Sequence, residues 1–269
     1  MSVTIHPTAQ VASSAEIGDG AVIGHCAVIE EDVIIGEGTR VDAFASVRRY
    51  TRLGRNNHIH SYAMVGGAPQ DLKFHGETSW LEIGDNNTIR EFATLHRGTE
   101  TGGGVTRVGS RNLLMAYTHV AHDCTLGDSI IMSNNATLAG HVEVQSGAIL
   151  GGLSAVHQFA RIGRNAFIGG MSGIAMDVPP FMLASGPRAD LHGPNLVGLR
   201  RMGASRELIS ALRGAYKLIW LAGKPRQEAL LEAEKEYGSF PEIMELLRFM
   251  REGSRGVLAA SHDTEDQEG

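Results

Sequence analysis

From Val108 to Ile174 an aliphatic residue or Met recurs at every sixth position: Val108, Leu114, Val120, Leu126, Met132, Leu138, Val144, Leu150, Val156, Ile162, Ile168 and Ile174. The same beat begins near the N-terminus, at Ile5, Val11, Ile17, Ile23, Ile29, Ile35, Val41, Val47, Leu53, Ile59 and Val65. Neither the 3.6-residue period of a helix nor the two-residue period of a strand sustains a register of six, whereas a short-repeat β-solenoid does. Gly often follows the aliphatic, as in Ile17-Gly18 and Ile35-Gly36, and a small residue (Ala15, Ala21, Ala27, Thr39) stands four places after it. Each unit therefore predicts one short strand and one corner. Three units close a triangular coil of eighteen residues, with the aliphatics stacked inside. Handedness is not written in this period, and the general crossover rule alone favours a right-handed turn.

The beat predicts a repeat domain over residues 1–186 with loop insertions near 66–78 and 98–106, the second containing Gly102-Gly103-Gly104. Loops that leave a rigid solenoid often carry function, and a solvated insertion without a role is the alternative for each. Past Pro179-Pro180 the period stops, and Gly186-Pro187 and Gly193-Pro194 mark a change of architecture. Helical spacing begins at Asn195. Leu208, Leu212, Tyr216 and residues 218–221 form one amphipathic segment, stopped by Gly223-Lys224-Pro225, and residues 227–237 and 241–251 form two more. Residues 187–256 are thus expected to be a small helical domain. Residues 257–269, polar and acidic from Ser261 onward, are expected to be a disordered tail.

Composition narrows the function classes. A net charge of -6 argues against a general nucleic-acid binder. Two cysteines, Cys26 and Cys124, give neither a disulfide framework nor zinc-ligand spacing and suit a reducing compartment. The first residues show no basic segment followed by an apolar one, and no run of eighteen apolar residues occurs. A cytoplasmic protein without stable membrane insertion is expected. The 34 glycines and 6% aromatics suit tight corners around a Val, Ile and Leu core.

Stacking turns sequence distance into geometry. His122, Gly140 and Gln158 fall eighteen apart and form a ladder, with His141 and His157 each one residue off it. A second ladder, Asn134, Gly152 and Gly170, carries little side chain and would leave a groove for an extended apolar chain. An imidazole titrating near neutrality suits a general base, and Asp123 beside His122 could steady its tautomer. A surface histidine is the bland reading of His122. Its grouping with His119, His141 and His157 favours function, as general base or as a zinc site. Cys124 reads as a buried structural thiol rather than a nucleophile. No Gly-x-Ser-x-Gly elbow lies nearby, which argues against a covalent intermediate. Gly140 reads equally as the small residue of a tight corner or as a backbone donor.

Several segments carry a family resemblance: Gln70-Asp71-Leu72-Lys73, Leu95-His96-Arg97-Gly98-Thr99, His119-Val120-Ala121-His122-Asp123-Cys124, Asn134 to Val142, Ala155-Val156-His157-Gln158-Phe159 and Asp177-Val178-Pro179-Pro180. Over nearly the whole chain except the acidic tail, the sequence resembles the acyl-carrier-protein-dependent UDP-N-acetylglucosamine O-acyltransferases that open lipid A synthesis. The paralogous N-acyltransferases carry an extra N-terminal domain, which hexads beginning at Ile5 are expected to exclude. The resemblance implies a left-handed parallel β-helix, a homotrimer with active sites between subunits, and no cofactor. It also implies direct transfer of an (R)-3-hydroxyacyl group from acyl carrier protein to the sugar 3-hydroxyl.

On this resemblance His122 takes the hydroxyl proton, Asp123 orients it, and the Gly140 amide stabilises the oxyanion. Asp71, Lys73 and His141 hold the glucosamine, with Gln70 and His119 also among the substrate-binding residues. His157, Gln158, Asn195 and Arg201 hold the uridine and phosphates. Asn134, Gly152 and Gly170 line the acyl groove. Gly170 stands at the family's chain-length ruler and implies a longer chain, which Met171 beside it could shorten. Two positions depart from the pattern: Val197 stands where some members place a ribose-contacting Glu, and Met202 where a second Arg can follow Arg201. Arg161, Arg164, Arg200 and Arg206 are candidate contacts for the acidic carrier protein. Two rivals remain: a γ-type carbonic anhydrase with zinc on the clustered histidines, and a non-catalytic scaffold.

Overall fold

The computed structural model describes residues 2–261. Short strands, mostly of two residues, end on the inward aliphatic and pair in parallel with the strand one coil on, Thr4 with Val22 and Ile5 with Ile23. They fall into three sheets that begin, in order, at Thr4–Ile5, Gln10–Val11 and Glu16–Ile17. The result is a three-sided prism. The first edge joins the first sheet to the second, the second edge joins the second to the third, and the third returns to the first. The inward aliphatics from Ile23 to Ile174 merge into one core. Burying each such side chain stabilises the fold by roughly 1.5–3 kcal/mol before entropy is charged.

The edges repeat one backbone device. The third residue past an inward aliphatic has positive φ: Phe44 (63°), Tyr62 (63°), Phe92 (59°) and Tyr117 (62°) on the first edge, Asp123 (60°), His141 (61°) and Phe159 (64°) on the second. A left-handed conformation costs an L-residue about 1–2 kcal/mol. Many corners offset it with a bond between coils, as when His141 N donates to His122 O at 3.0 Å and Phe159 N to Gly140 O at 3.2 Å. On the first edge, the rings of Phe44, Tyr62, Phe92 and Tyr117 also stack, with centroids 5.2, 5.1 and 4.9 Å apart and planes within 5°.

Both insertions leave at the second edge, after Val65 and after Leu95-His96. The inward register survives them, because Leu53 pairs with Ile83 and Ile83 with Val108. Inside the third edge, where earlier coils place Ala21 and Thr39, three coils instead bury Asn57, Asn87 and Asn112. Asn57 Oδ1 accepts from the Asn87 backbone N at 2.9 Å and from Asn87 Nδ2 at 3.0 Å. Asn87 Oδ1 accepts from Asn112 N at 2.9 Å, while Asn87 Nδ2 donates to Gly109 O at 3.0 Å. The ladder satisfies polar groups that an alanine would leave bare.

The parallel coils end in a hairpin, Met182–Ser185 antiparallel to Asp190–Pro194, so the region after 186 begins as a strand and not as helix. Helices α1 (Leu196–Arg201), α2 (Arg206–Tyr216), α3 (Arg226–Tyr237) and α4 (Pro241–Glu252) follow. A π-helical turn, Lys217–Leu221, links α2 to α3. The chain then returns: Val257 bridges Asp177 and Ala260 bridges Leu191. Val257, Leu258 and Ser261 are buried, so the tail expected from 257 is packed through 261, and the acidic residues 262–269 lie outside the described residues. Two arginines of the prism hold the helices to it. Arg161 meets buried Asp177 at 2.8 Å and lies over the Phe249 ring, and Arg164 meets Glu245 at 2.7 Å. These two arginines are therefore committed internally and are not free docking contacts.

Asn87→Ala removes three hydrogen bonds from a buried ladder and is expected to destabilise the chain by about 2–4 kcal/mol. A urea-midpoint measurement that shows no loss relative to wild type would contradict the ladder's role.

Candidate active site

The second edge gathers the histidines. Successive coils place His122 and Asp123, then Gly140 and His141, then His157, Gln158 and Phe159, at the same corner. His122 Nδ1 lies 2.8 Å from Asp123 Oδ2, and the Asp123 side chain is only 1% exposed. An ionised carboxylate only accepts, so Nδ1 carries the proton and Nε2 presents a lone pair. His141 Nε2 stands 3.7 Å from the same oxygen, and the His122 and His141 rings meet edge-on at 5.2 Å. His141 in turn stacks on Phe159 at 4.5 Å.

The glycine insertion holds the carboxylate. Thr99 N and Thr99 Oγ1 donate to Asp123 at 2.8 and 2.7 Å, and the Asp123 backbone N donates to Thr106 Oγ1 at 2.7 Å. A side chain at Gly102 would collide with the carboxylate. The 98–106 loop is therefore a clamp on Asp123, not a solvated excursion. The signal was its departure from the edge that carries the histidines. Asp123 Oδ2 already serves His122 and Thr99, which leaves it poorly placed to bind a metal with His122 and His141.

Gly140 is needed for close approach. A Cβ there would lie 2.6 Å from His122 Cε1 and 2.8 Å from Nε2, so any larger residue displaces the imidazole. The Gly140 N–H donates to no group among the described residues. Cys124 is buried with its thiol pushed up to about 12 by burial, and its Sγ donates to Ala139 O at 3.2 Å, the structural role expected of it.

Burial pulls the neighbouring histidines below the usual imidazole range. His141 is lowered by burial and by the neighbouring His122, against the opposing pull of Asp123 and Asp71. His119 is lowered by burial and by the charge of His122, and its Nδ1 meets Thr94 Oγ1 at 2.7 Å. His96, which packs on His119 at 4.8 Å, is lowered to about 4, mainly by burial, and its Nδ1 has no partner among the described residues. Gln70 and Lys73 are exposed on the same loop as Asp71, whose Oδ1 accepts from Lys73 N at 3.0 Å. Arg255, which sequence reasoning missed, donates to His157 Nδ1 at 2.7 Å and to Ala175 O at 2.7 Å.

The remaining site residues lie elsewhere on the chain. Asn195, Val197, Arg201 and Met202 line a cleft of about 930 Å³ between α1, α2 and the outer face of the first sheet. That face is opposite the second edge. Arg200, Arg213 and Lys217 join Arg201 there, the last two one helical turn apart, a spacing legible in the sequence. Both ends of the Asn195 amide are used: Oδ1 accepts from Gly198 N at 2.9 Å and caps α1, while Nδ2 donates to Asn165 O at 3.1 Å. The ladder of Asn134, Gly152 and Gly170 forms at the first edge, bonded through Leu153 N to Asn134 O and Met171 N to Gly152 O. Exposed Leu153 and Met171 flank it. Within one chain the histidines, the groove and the basic cleft therefore do not meet.

Comparisons with known proteins agree with this architecture. Residues 177–258 match the family described as Udp N-acetylglucosamine O-acyltransferase, domain 2. The chain is 44% identical to LpxA from Acinetobacter baumannii, with a TM-score of 0.92, covering 94% of this chain and 99% of that one. It is 42% identical to UDP-N-acetylglucosamine O-acyltransferase (LpxA) from Moraxella catarrhalis, with a TM-score of 0.92 and the same coverage of 94% and 99%. Identity to the Francisella novicida UDP-N-acetylglucosamine acyltransferase is 35%, with a TM-score of 0.91, covering 99% of this chain and 100% of that one. Fold and site define an acyltransferase built on a left-handed parallel β-helix with a small helical C-terminus. The hand is the one implied by resemblance and opposes the general crossover rule, which rests on the twist of longer strands than these two-residue ones. The chain belongs to the UDP-N-acetylglucosamine O-acyltransferase family. No helix among the described residues is long and apolar enough to cross a membrane.

The depressed His96 gives stability a pH dependence of defined sign. The folded chain keeps His96 neutral to about pH 4, whereas the unfolded chain binds its proton near 6.5. Stability from this group is full above about pH 6.5 and falls by up to about 3 kcal/mol as pH drops to 4, with His119 and His141 acting in the same direction. Urea unfolding between pH 7 and 4 should show a shallower loss for His96→Gln than for wild type, and equal slopes would contradict it.

Proposed function

We propose that this acyltransferase moves an (R)-3-hydroxyacyl group from acyl carrier protein to the 3-hydroxyl of UDP-N-acetylglucosamine, the first step of lipid A synthesis, and acts as a homotrimer with active sites between chains. The observation that carries the chemistry is the His122–Asp123 pair at 2.8 Å beside Gly140, a residue packed close to the imidazole whose N–H has no partner among the described residues. His122 Nε2 takes the proton as the sugar oxygen bonds to the thioester carbonyl carbon. The developing oxyanion turns to the Gly140 N–H, a donor whose counterpart in such sites is worth about 3–4 kcal/mol. Collapse breaks the carbon–sulfur bond, and the carrier thiolate leaves with the proton from His122. No covalent enzyme intermediate is required, and Cys124 is too deeply buried to form one.

The trimer follows from the separation of the parts. A nucleotide sugar that reaches both His122 and the Arg201 cleft must lie where the second edge of one chain faces the first sheet of another. Three such head-to-tail contacts close a ring. Leu72, 101% exposed on the 66–78 loop, supports a neighbouring chain at this edge. In this arrangement Gln70, Asp71, Lys73, His119 and His141 surround the glucosamine. His157 and Gln158 of one chain meet Arg201 of the next around the nucleotide, on the helix that Asn195 caps, with Arg213 and Lys217 adding charge for the diphosphate. Val197 and Met202 make apolar contact where other members place polar groups. The acyl chain lies along Asn134, Gly152 and Gly170 against Leu153 and Met171. Of the candidate docking arginines, Arg200 and Arg206 remain exposed for the acidic carrier protein. Free thiols at Cys26 and Cys124 suit a cytoplasmic setting.

Purified protein given UDP-N-acetylglucosamine and a series of 3-hydroxyacyl carrier-protein thioesters should form the 3-O-acyl product. His122→Ala should lower kcat/KM by roughly 10²–10⁴-fold while leaving the assembly folded. Near-wild-type turnover by that variant would refute the assignment. Activity should survive chelation, unlike that of a zinc carbonic anhydrase.

A further inference from the structure

His157 is exposed on the second edge, and two neighbours make opposite claims on its Nδ1. The Gln158 carbonyl oxygen lies 3.1 Å from that nitrogen and could only accept a proton from it. Arg255 Nη2 lies 2.7 Å away on another side and can only donate. One ring nitrogen carries either a proton or a lone pair, so it cannot satisfy both. The shorter, charge-assisted contact makes Nδ1 the acceptor and leaves the ring proton on Nε2.

The segment that carries Arg255 is fixed on both sides. Before it, Arg161 Nη2 donates to Phe249 O at 2.9 Å in the last turn of α4. A Cβ on Gly253 would lie 2.5 Å from that same nitrogen and 2.8 Å from Asp177 Oδ2, so the chain passes this point only as glycine. After it, Asp177 N donates to Gly256 O at 2.9 Å and Leu258 N to Asp177 O at 3.1 Å. Arg255 Nε then donates to Ala175 O at 2.7 Å. Ala175 stands one coil beyond His157, because Val156 pairs with Ile174 and His157 N donates to Ile174 O at 2.8 Å. One guanidinium thus spans two coils through two of its N–H groups, a fork that a lysine lacks.

We infer that Arg255 is a positioning residue that fixes His157 as an Nε2–H donor, so that the imidazole offers a proton, not a lone pair, to an anionic oxygen of the nucleotide's diphosphate. The tautomer rests on the geometry above, and the diphosphate on the function proposed for the site. Without Arg255, the Gln158 carbonyl draws the ring proton to Nδ1. Nε2 would then turn a lone pair toward an oxygen that has only lone pairs to offer, and the contact becomes repulsive. Arg255 therefore acts through His157, from the chain that carries the base and across from the Arg201 cleft.

The test reads tautomer and kinetics in the full-length protein. In protein made with isotope-labelled histidine, the His157 ring resonances, assigned by their loss in His157→Gln, should show the Nε2–H form in wild type and a gain of the Nδ1–H form in Arg255→Met. That measurement needs no substrate. With UDP-N-acetylglucosamine varied, Arg255→Met should raise KM roughly 10-fold while kcat stays within about threefold. Arg255→Lys, which keeps a donor and the charge, should recover part of the loss. Adding Arg255→Met to His157→Gln should cost little more than His157→Gln alone. An unchanged tautomer in Arg255→Met would overturn the inference, as would full additivity of the two substitutions. A lowered Tm with tautomer and KM unchanged would also overturn it, leaving Arg255 a mere tie between the C-terminal segment and the prism. Wild-type protein that forms no acylated product would refute the transferase reading by itself, while the substrate-free measurement still decides whether Arg255 governs His157.

Discussion

Parallel pairing of each coil with the next at a constant offset is the constraint on which everything else in this chain depends. It buries one aliphatic per hexad and satisfies the strand backbone, and it carries each edge position onto the same edge one coil later. That repetition sustains a run of left-handed corners in residues as bulky as Tyr117 and Phe159, because their N–H groups find the carbonyls of Glu91 and Gly140 in the coil before. It also lets chain be added without loss of register. Both insertions leave at the second edge, and the aliphatics beyond them return to the interior.

Catalytic geometry follows from the same rule. The second edge concentrates His122, Asp123, Gly140 and His141 within two coils, and the extra chain inserted at that edge supplies Thr99 to fix the carboxylate. A prism also separates. An edge and the face opposite it cannot meet in one molecule, and the cations of the cleft, Arg200, Arg201, Arg213 and Lys217, lie on that opposite face. The proposed assembly turns this separation into a site, with one chain giving the base and oxyanion donor and its neighbour the nucleotide contacts.

Much of this was legible in the hexad. The inward positions, the coil of eighteen and the histidine ladder follow from spacing alone, since backbone pairing leaves no freedom in which residues stack. The separation of the two ladders is legible too: His122 and Asn134 lie two units apart, which puts them at different edges. Other features depend on contacts that no periodicity encodes. Asn57, Asn87 and Asn112 replace the expected small residues because their amides bond from coil to coil. Arg161 and Arg164 looked like free cations until the helices brought Phe249 and Glu245 over them. Asn195, expected at the nucleotide, spends its amide on capping α1, and Val257 to Ser261 pack against the prism instead of trailing from it.

The most direct test of a site shared between chains is the activity of mixed assemblies in which some subunits carry His122→Ala and the others Arg201→Ala. If the second edge of one chain works with the first-sheet face of its neighbour, random mixing at equal amounts leaves roughly a quarter of the sites with both groups intact, and activity rises well above that of either parent. If each chain holds a complete site of its own, every site in the mixture carries a lesion, and activity no greater than the mean of the two parents would contradict the account.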